Sequence, residues 1–192
     1  MAVKKRLPLR MFAELDREAR RLQQKAPNSF AVAGGFALQL YGGRRLTVDL
    51  DVVAPKEVLP SSLGLRQEGA ISFGGQYLVS PRGLPVDWIV RKDSAADLYL
   101  EAYEAAGVQQ VCTRPYRYRI VPIEYLAVMK LAAKRAKDWN DLMGILGGAS
   151  DEQIKKMRNI TKGHFGDYAV EDLDAEVAEA RWRASRGEET IP

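Results

Sequence analysis

The stretch that decides the fold is "AVAGGFALQLYGGRRLTVDLDVV", residues 31–53. A short apolar run precedes a glycine pair, and two aspartates separated by one leucine follow after thirteen further residues. The pattern predicts a strand over "FAVAG", a short helix over "GFALQLYG" and a second strand over "TVDLDVVA". The second strand is otherwise apolar, so its two like charges need an explanation.

The paired acids indicate a metal site. Side chains alternate along a strand, so Asp49 and Asp51 share one face, while Leu50 points into the core with Val48 and Val52. Two neighbouring carboxylates repel each other unless a positive charge lies between them. A hard divalent cation, Mg²⁺ or Mn²⁺, supplies that charge through oxygen ligands.

A third carboxylate stands in matching context, because Asp87 interrupts the strand-like run "LPVDWIV". If the two strands are neighbours, Asp49, Asp51 and Asp87 converge. Such a set can hold one or two metal ions, each of which also takes phosphate oxygens and water.

The glycine pair and the arginines indicate a phosphate ligand. Gly34 and Gly35 let the backbone approach a ligand closely, and the helix start behind them offers N–H groups to an anion. Arg44 and Arg45, just before the second strand, are placed to reach the phosphates. Together with the acids, these residues predict a nucleoside triphosphate site.

The glycine pair and the Asp-Leu-Asp run together resemble the motif of the nucleotidyltransferase (polymerase β-like) superfamily. The run Arg45-x-Thr47-x-Asp49-Leu50-Asp51 resembles its AbiEii-type branch, which includes toxins of abortive-infection and toxin–antitoxin systems. Many active members carry serine where this chain has Gly35, and Asp87 matches by position and context only. A second block, "MKLAAKRAKDWNDL", matches the branch's Lys and Arg-x-Lys-Asp-x-x-Asp pattern at these residues: Lys130, Arg135, Lys137, Asp138 and Asp141.

The resemblance implies a fold and an activity. The fold is α+β: a nucleotidyltransferase-like mixed sheet packed with helices over residues 1–120, followed by a helical region over 121–192. The activity is Mg²⁺-dependent transfer of a nucleotidyl group from an NTP to an RNA such as tRNA, a protein or a small hydroxyl compound. Toxin behaviour, with an antitoxin protein as partner, is also implied.

The resemblance further implies a role for each site residue. Asp49 and Asp51 hold the metal that bridges to the triphosphate, and Asp87 completes a second metal site and helps to deprotonate the acceptor. Gly34, Gly35 and Thr47 belong to the nucleotide site. Arg45 and Lys130 offset charge on the leaving pyrophosphate; the alternative for Lys130 is an exposed lysine.

Composition limits the other possibilities. Residues 1–48 carry ten Lys and Arg against three acids, which suits a phosphate-bearing partner or simply a solvated helix face. One cysteine, Cys112, excludes an intramolecular disulfide, and with one histidine, His164, the usual Cys/His zinc sites cannot be built. No apolar run approaches the length of a membrane span, which predicts a cytoplasmic protein without membrane contact.

Helix and loop signals complete the expectations. Residues 9–25 predict an amphipathic helix, Ser94 an N-cap, and Pro122 the first position of a helix that carries Lys130 and Lys134 on one face. Residues 56–76 predict a short helix and a loop, "TKGHFGD" a loop around His164, and 168–185 a long helix. Asp138 and Asp141 are expected to hold the helix that follows, through Arg135 or Lys137.

Two other functions fit the same sequence. One is a catalytically inactive binding or regulatory module with the same fold, although intact carboxylates disfavour this because a site without function need not keep buried charges. The other is nucleic-acid binding through the basic residues, with the acids incidental.

Overall fold

The computed structural model describes residues 6–43, 45–108, 110–111, 114–115, 117–188 and 190–191. The expectations for Arg44 and Cys112, and for the side chain of Lys137, lie outside what it describes. Among the described residues, no helix is both long enough and apolar enough to cross a membrane.

The chain folds into a mixed sheet followed by a group of helices. The sheet has five strands in the order β1-β2-β5-β4-β3; β2 and β5 are parallel and the other neighbours antiparallel. A separate two-stranded ribbon, β6 and β7, follows. The strands are β1 Ala31–Val32, β2 Leu50–Val53, β3 Arg66–Ala70, β4 Gly75–Val79, β5 Pro85–Ile89, β6 Gln110–Val111 and β7 Arg114–Pro115. This arrangement confirms the α+β class.

Helices lie before, within and after the sheet segment. A single 3₁₀ turn spans Pro60–Leu63. The α-helices are α1 Arg6–Lys25, α2 Gly34–Leu40, α3 Ala96–Ala105, α4 Ile123–Ala133, α5 Ala136–Gly148, α6 Asp151–Phe165 and α7 Asp167–Ser185. The predicted boundary between two regions at residue 120 stays a prediction.

The largest core side chains of β2 and β5 lie on the sheet face opposite to the site. Val52 and Trp88 are register partners on β2 and β5 and are fully buried. Helix α1 adds Leu15 and Leu22, which its amphipathic spacing predicts. Burying each such side chain stabilises the fold by roughly 1.5–3 kcal/mol. Asp51 and Asp87 alternate with these residues along β2 and β5 and therefore face the opposite side of the sheet.

Several predicted boundaries are wrong by one to three residues. Strand β2 begins at Leu50, and Val48 is 61% exposed, because the chain enters the sheet later than the apolar pattern indicates. Ala95, not Ser94, precedes α3, and the Asp93 carboxylate accepts its N–H at 3.2 Å. Pro122 is the N-cap of α4 rather than its first helical residue.

Two larger differences concern strand β3 and helix α6. Strand β3, "RQEGA", lies in the segment predicted as helix and loop, and its side chains are mostly exposed, so no apolar alternation indicates it. Helix α6 runs through "TKGHF" and stops only at Gly166, whose φ is +80°. His164 therefore lies in the last turn of α6, with Nε2 3.0 Å from Glu101.

Helix α4 ends earlier than the sequence indicates. Lys134 caps it in a left-handed conformation with φ 47°, and its side chain is 75% exposed. Lys130, one turn earlier, is only 7% exposed. The two lysines consequently do not share a helical face.

Candidate active site

Three carboxylates converge on the sheet face opposite to Val52 and Trp88. Asp51 of β2 is the register partner of Asp87 on the parallel strand β5, so the two side chains emerge side by side. Asp49 lies in the bend immediately before β2. Each residue offers a carboxylate oxygen, and these oxygens all lie within 4.8 Å of one another. The predicted convergence of the three acids is thus what the structure shows.

The donor set fits a hard divalent cation. It consists of oxygens alone, carries three negative charges when ionised, and is half-buried rather than sealed. The acids line a cavity of about 620 Å³, which leaves room for phosphate oxygens and water beside a metal.

Gly34 is packed against one of these acids. Its φ is +60°, and a Cβ placed on it would lie 1.8 Å from Asp51 Oδ2. The antiparallel pairing of β1 and β2, extended by the Ala33 N–H bond to the Asp51 carbonyl at 2.9 Å, brings the two residues together. Only glycine fits this position.

Gly35 lies against two residues of the loop before β2. A Cβ on it would be 3.0 Å from Thr47 Cβ and Oγ1 and 3.2 Å from Arg45 Nη2. The buried Thr47 hydroxyl in turn donates to Asp49 Oδ1, which holds that carboxylate toward the other two. Glycines, threonine and acids therefore form one contiguous wall of the cavity.

Lys130 is buried between two carboxylates. Its ammonium lies 2.6 Å from Asp138 Oδ1 and 2.8 Å from Asp141 Oδ2, and both acids are almost fully buried. Arg135 Nε lies 2.5 Å from Asp138 Oδ2, and Arg45 Nε lies 3.0 Å from Asp141 Oδ2. The five residues, here called the α4–α5 charge network, alternate in sign from Arg45 to Arg135.

The network ties the loop before β2 to helices α4 and α5. Burial alone would raise the pKa of Asp138, but the hydrogen bonds and charges of Lys130 and Arg135 outweigh it and hold that pKa below its ordinary value. The expected pairing of Asp138 with Arg135 is confirmed, and the alternative of an exposed Lys130 is wrong. Lys130, Arg45, Arg135 and Asp138 also line the cavity that holds the three acids.

Sequence reasoning missed three residues that line the cavity, Phe73, Arg91 and Tyr99. Arg91, just beyond β5, contacts two rings, with its guanidinium carbon 4.3 Å from the Phe73 centroid and 4.8 Å from the Tyr99 centroid. Burial raises the pKa of Tyr99 despite the nearby Arg91 charge. These residues come from a turn, a strand end and a helix, so no local sequence pattern indicates that they meet.

Comparison with known proteins gives limited matches. No protein-family model matches the chain, and no curated protein matches it. Among solved structures, it is similar to the solution structure of the antibiotic-resistance factor ANT(2'')-Ia, with 16% identity and a TM-score of 0.47. That similarity covers 92% of this chain and 97% of the other. The function proposed next rests on the geometry of this chain's own residues.

Proposed function

We propose that this protein is a nucleotidyltransferase, which moves a nucleoside monophosphate from an NTP to a hydroxyl acceptor with the help of Mg²⁺ or Mn²⁺. The observation that carries the proposal is the convergence of Asp49, Asp51 and Asp87 in a cavity whose remaining walls hold several cations. A metal-binding acidic cluster facing fixed positive charges suits a magnesium-bound triphosphate.

The reaction is an in-line displacement at the α-phosphorus. The acceptor oxygen forms a bond to that phosphorus while the bond from phosphorus to the α,β-bridging oxygen breaks, and pyrophosphate leaves. Asp87 accepts the hydroxyl proton and then passes it to water. The chain itself contributes mainly positioning and electrostatic stabilisation, as is usual for phosphoryl transfer.

Asp49, Asp51 and Asp87 are the residues that would hold the metal. A bound divalent cation supplies charge neutralisation and Lewis acidity to the phosphate oxygens. Thr47 keeps Asp49 oriented, and Gly34 and Gly35 provide a wall without side chains against which the triphosphate lies.

Arg45 and Lys130 are assigned to the developing charge of pyrophosphate. Both line the cavity, and both are already held by Asp141. Because the network fixes their positions, they act as preorganised charges and not as mobile side chains.

The acceptor and the biological role follow the resemblance in sequence. The acceptor classes are an RNA such as tRNA, a protein and a small hydroxyl compound. The expected biological role is that of a cytoplasmic toxin with an antitoxin protein as its partner. Incubation with each α-³²P-labelled NTP, cellular RNA and cellular protein tests these classes, because the label marks whichever acceptor is modified.

Calorimetric titration with Mg²⁺ and each NTP tests the proposed site directly. Wild-type protein is expected to bind at least one NTP only when the metal is present, and Asp49→Asn and Asp51→Asn are expected to abolish that binding. Asp97→Asn, an exposed acid in the first turn of α3, is the matched control and should bind as wild type does. Metal-independent binding, or binding that survives both site substitutions, would favour an inactive module instead.

A further inference from the structure

We propose that Arg91 binds a phosphate group of the acceptor, so that the substrate class is a hydroxyl compound carrying a phosphate ester close to the reacting hydroxyl. The inference rests on the proposed function and concerns Arg91, a cavity-lining residue to which that function assigns no role.

The backbone of Arg91 lies further along the sheet than the glycine pair does. Gly34 follows β1, which runs antiparallel to β2, and therefore stands beside the start of β2. Strand β5 is parallel to β2 and carries Asp87 at its centre and Arg91 two residues past its end. At about 3.3 Å per residue, the four residues from Asp87 to Arg91 span about 13 Å. Counted along the strands from the level of Gly34, the backbone of Arg91 thus lies beyond Asp87, the proposed proton acceptor.

The Arg91 guanidinium is fixed in position before any substrate arrives. The rings of Phe73 and Tyr99 both contact it, and Asp93 accepts from Nε at 2.9 Å and from Nη2 at 2.6 Å. Only 17% of the side chain is exposed, although it lines the cavity. A cation held by rings and a bidentate carboxylate loses little further conformational entropy when it binds a ligand.

The held guanidinium still has donors for a ligand. Asp93 uses two of the five N–H groups of the arginine, and no other described residue accepts a hydrogen bond from the remaining three. Phosphate is the group whose geometry matches such a planar set of donors.

Two chemical sources supply a phosphate beside a hydroxyl: a small phosphate ester and the 3′ end of a nucleic acid. The probes for binding are therefore glycerol 3-phosphate with glycerol as its neutral counterpart, and an RNA trinucleotide with a nucleoside as its counterpart. Each is titrated into protein that already holds Mg²⁺ and an NTP whose α,β-bridging oxygen is replaced by methylene, so that no transfer occurs.

Wild-type protein is expected to bind at least one phosphate-bearing probe about tenfold or more tightly than its neutral counterpart, as suits a charge-assisted contact. Arg91→Gln should remove that preference, and Arg91→Lys should retain part of it. If the trinucleotide binds more tightly than glycerol 3-phosphate, the source is a nucleic-acid end; the reverse order assigns a small ester. Arg66→Gln is the matched control, because Arg66 also pairs with an acid two residues on, Glu68, but lies outside the cavity.

Three results would overturn the inference. The first is that the wild type shows no preference for phosphate, and the second is that Arg91→Gln keeps the wild-type preference. The third is that Arg91→Gln loses affinity for the NTP, which would mean that Arg91 contacts the triphosphate. Thermal unfolding of each variant shows whether it is folded. If Arg91→Gln is not folded, the phosphate preference of Arg91→Lys is compared with that of the wild type instead. Failure of the proposed function is separately visible, because wild-type protein would then show no metal-dependent NTP binding at all.

Discussion

The carboxylate of Asp51 occupies the space that a side chain at Gly34 would need. A Cβ at Gly34 would lie 1.8 Å from Oδ2 and 2.5 Å from Cγ of Asp51. The glycine pair and the aspartates, seventeen positions apart at these two residues, are therefore one packed unit created by the pairing of β1 with β2. The number of residues between Gly34 and Asp51 is the length of chain that α2 and the loop from α2 to β2 require.

Gly34→Ala is expected to damage both stability and metal binding. A non-glycine residue at φ +60° costs about 1–2 kcal/mol, and the clash with Asp51 adds to that cost. The free energy of unfolding, measured in urea, should fall by about 2 kcal/mol or more. Mn²⁺ binding, followed by electron paramagnetic resonance, should weaken because Asp51 must move.

The control for this variant is Gly163→Ala. Gly163 lies within α6, and a Cβ there meets no atom within 4 Å. Alanine is the better helix former by about 1 kcal/mol, so this variant should be as stable as wild type or more so. If Gly34→Ala unfolded like wild type and kept its Mn²⁺ affinity, the steric coupling of Gly34 with Asp51 would be refuted.

Thr47 orients a proposed metal ligand without contacting the metal. Its hydroxyl donates to Asp49 Oδ1, so Thr47→Val, which keeps the shape and loses the donor, should weaken Mn²⁺ binding by about tenfold. Thr47→Ser retains the hydroxyl and should bind nearly as wild type does. Equal Mn²⁺ affinity in all three proteins, measured by calorimetry, would show that Asp49 needs no such support.

The sequence predicts the sheet face of the site because alternation is a local property. Asp51 and Asp87 each interrupt an apolar strand, so their common direction away from the core follows from the period of two. The sequence does not show which strands pair. It therefore predicts that the two acids are adjacent only if β2 and β5 are neighbours, as they are in the structure. Strand β3 was not predicted because it is an edge strand whose side chains are mostly exposed, so its sequence lacks apolar alternation.

Electrostatic partners are less predictable because they meet through the tertiary fold. Lys130 is eight residues from Asp138 and eleven from Asp141, and only the turn between α4 and α5 folds them together. Arg91 and Phe73 are likewise distant in sequence, so neither could be assigned to the cavity. The resemblance in motif indicated that Lys130 matters, but its burial between two acids is a finding of the structure.

Removing the central cation of the α4–α5 charge network should be strongly destabilising. Lys130→Met leaves Asp138 and Asp141 buried without their shared partner, and breaking a buried pair in this way costs about 3–5 kcal/mol. Lys134→Met is the matched control, because Lys134 is 75% exposed and its pair with Asp172 spans 3.5 Å. That change should stay within about 0.5 kcal/mol in urea unfolding. Equal stability of the two variants would contradict a structural role for Lys130.

The charge on Asp138 should make the stability of the protein depend on pH in acid. The pKa of this carboxyl is lowered from 3.8 in the folded state, so its contribution is present above that value and is lost as the pH falls through the folded pKa. Asp138→Asn should be less stable than wild type at neutral pH, and the difference should shrink below about pH 4. Urea unfolding of both proteins between neutral and acid pH measures it. Repeating the series in high salt should change the stability difference between the two proteins little, because buried pairs are poorly screened. If that difference became larger as the pH fell, Asp138 would not be stabilised as the carboxylate.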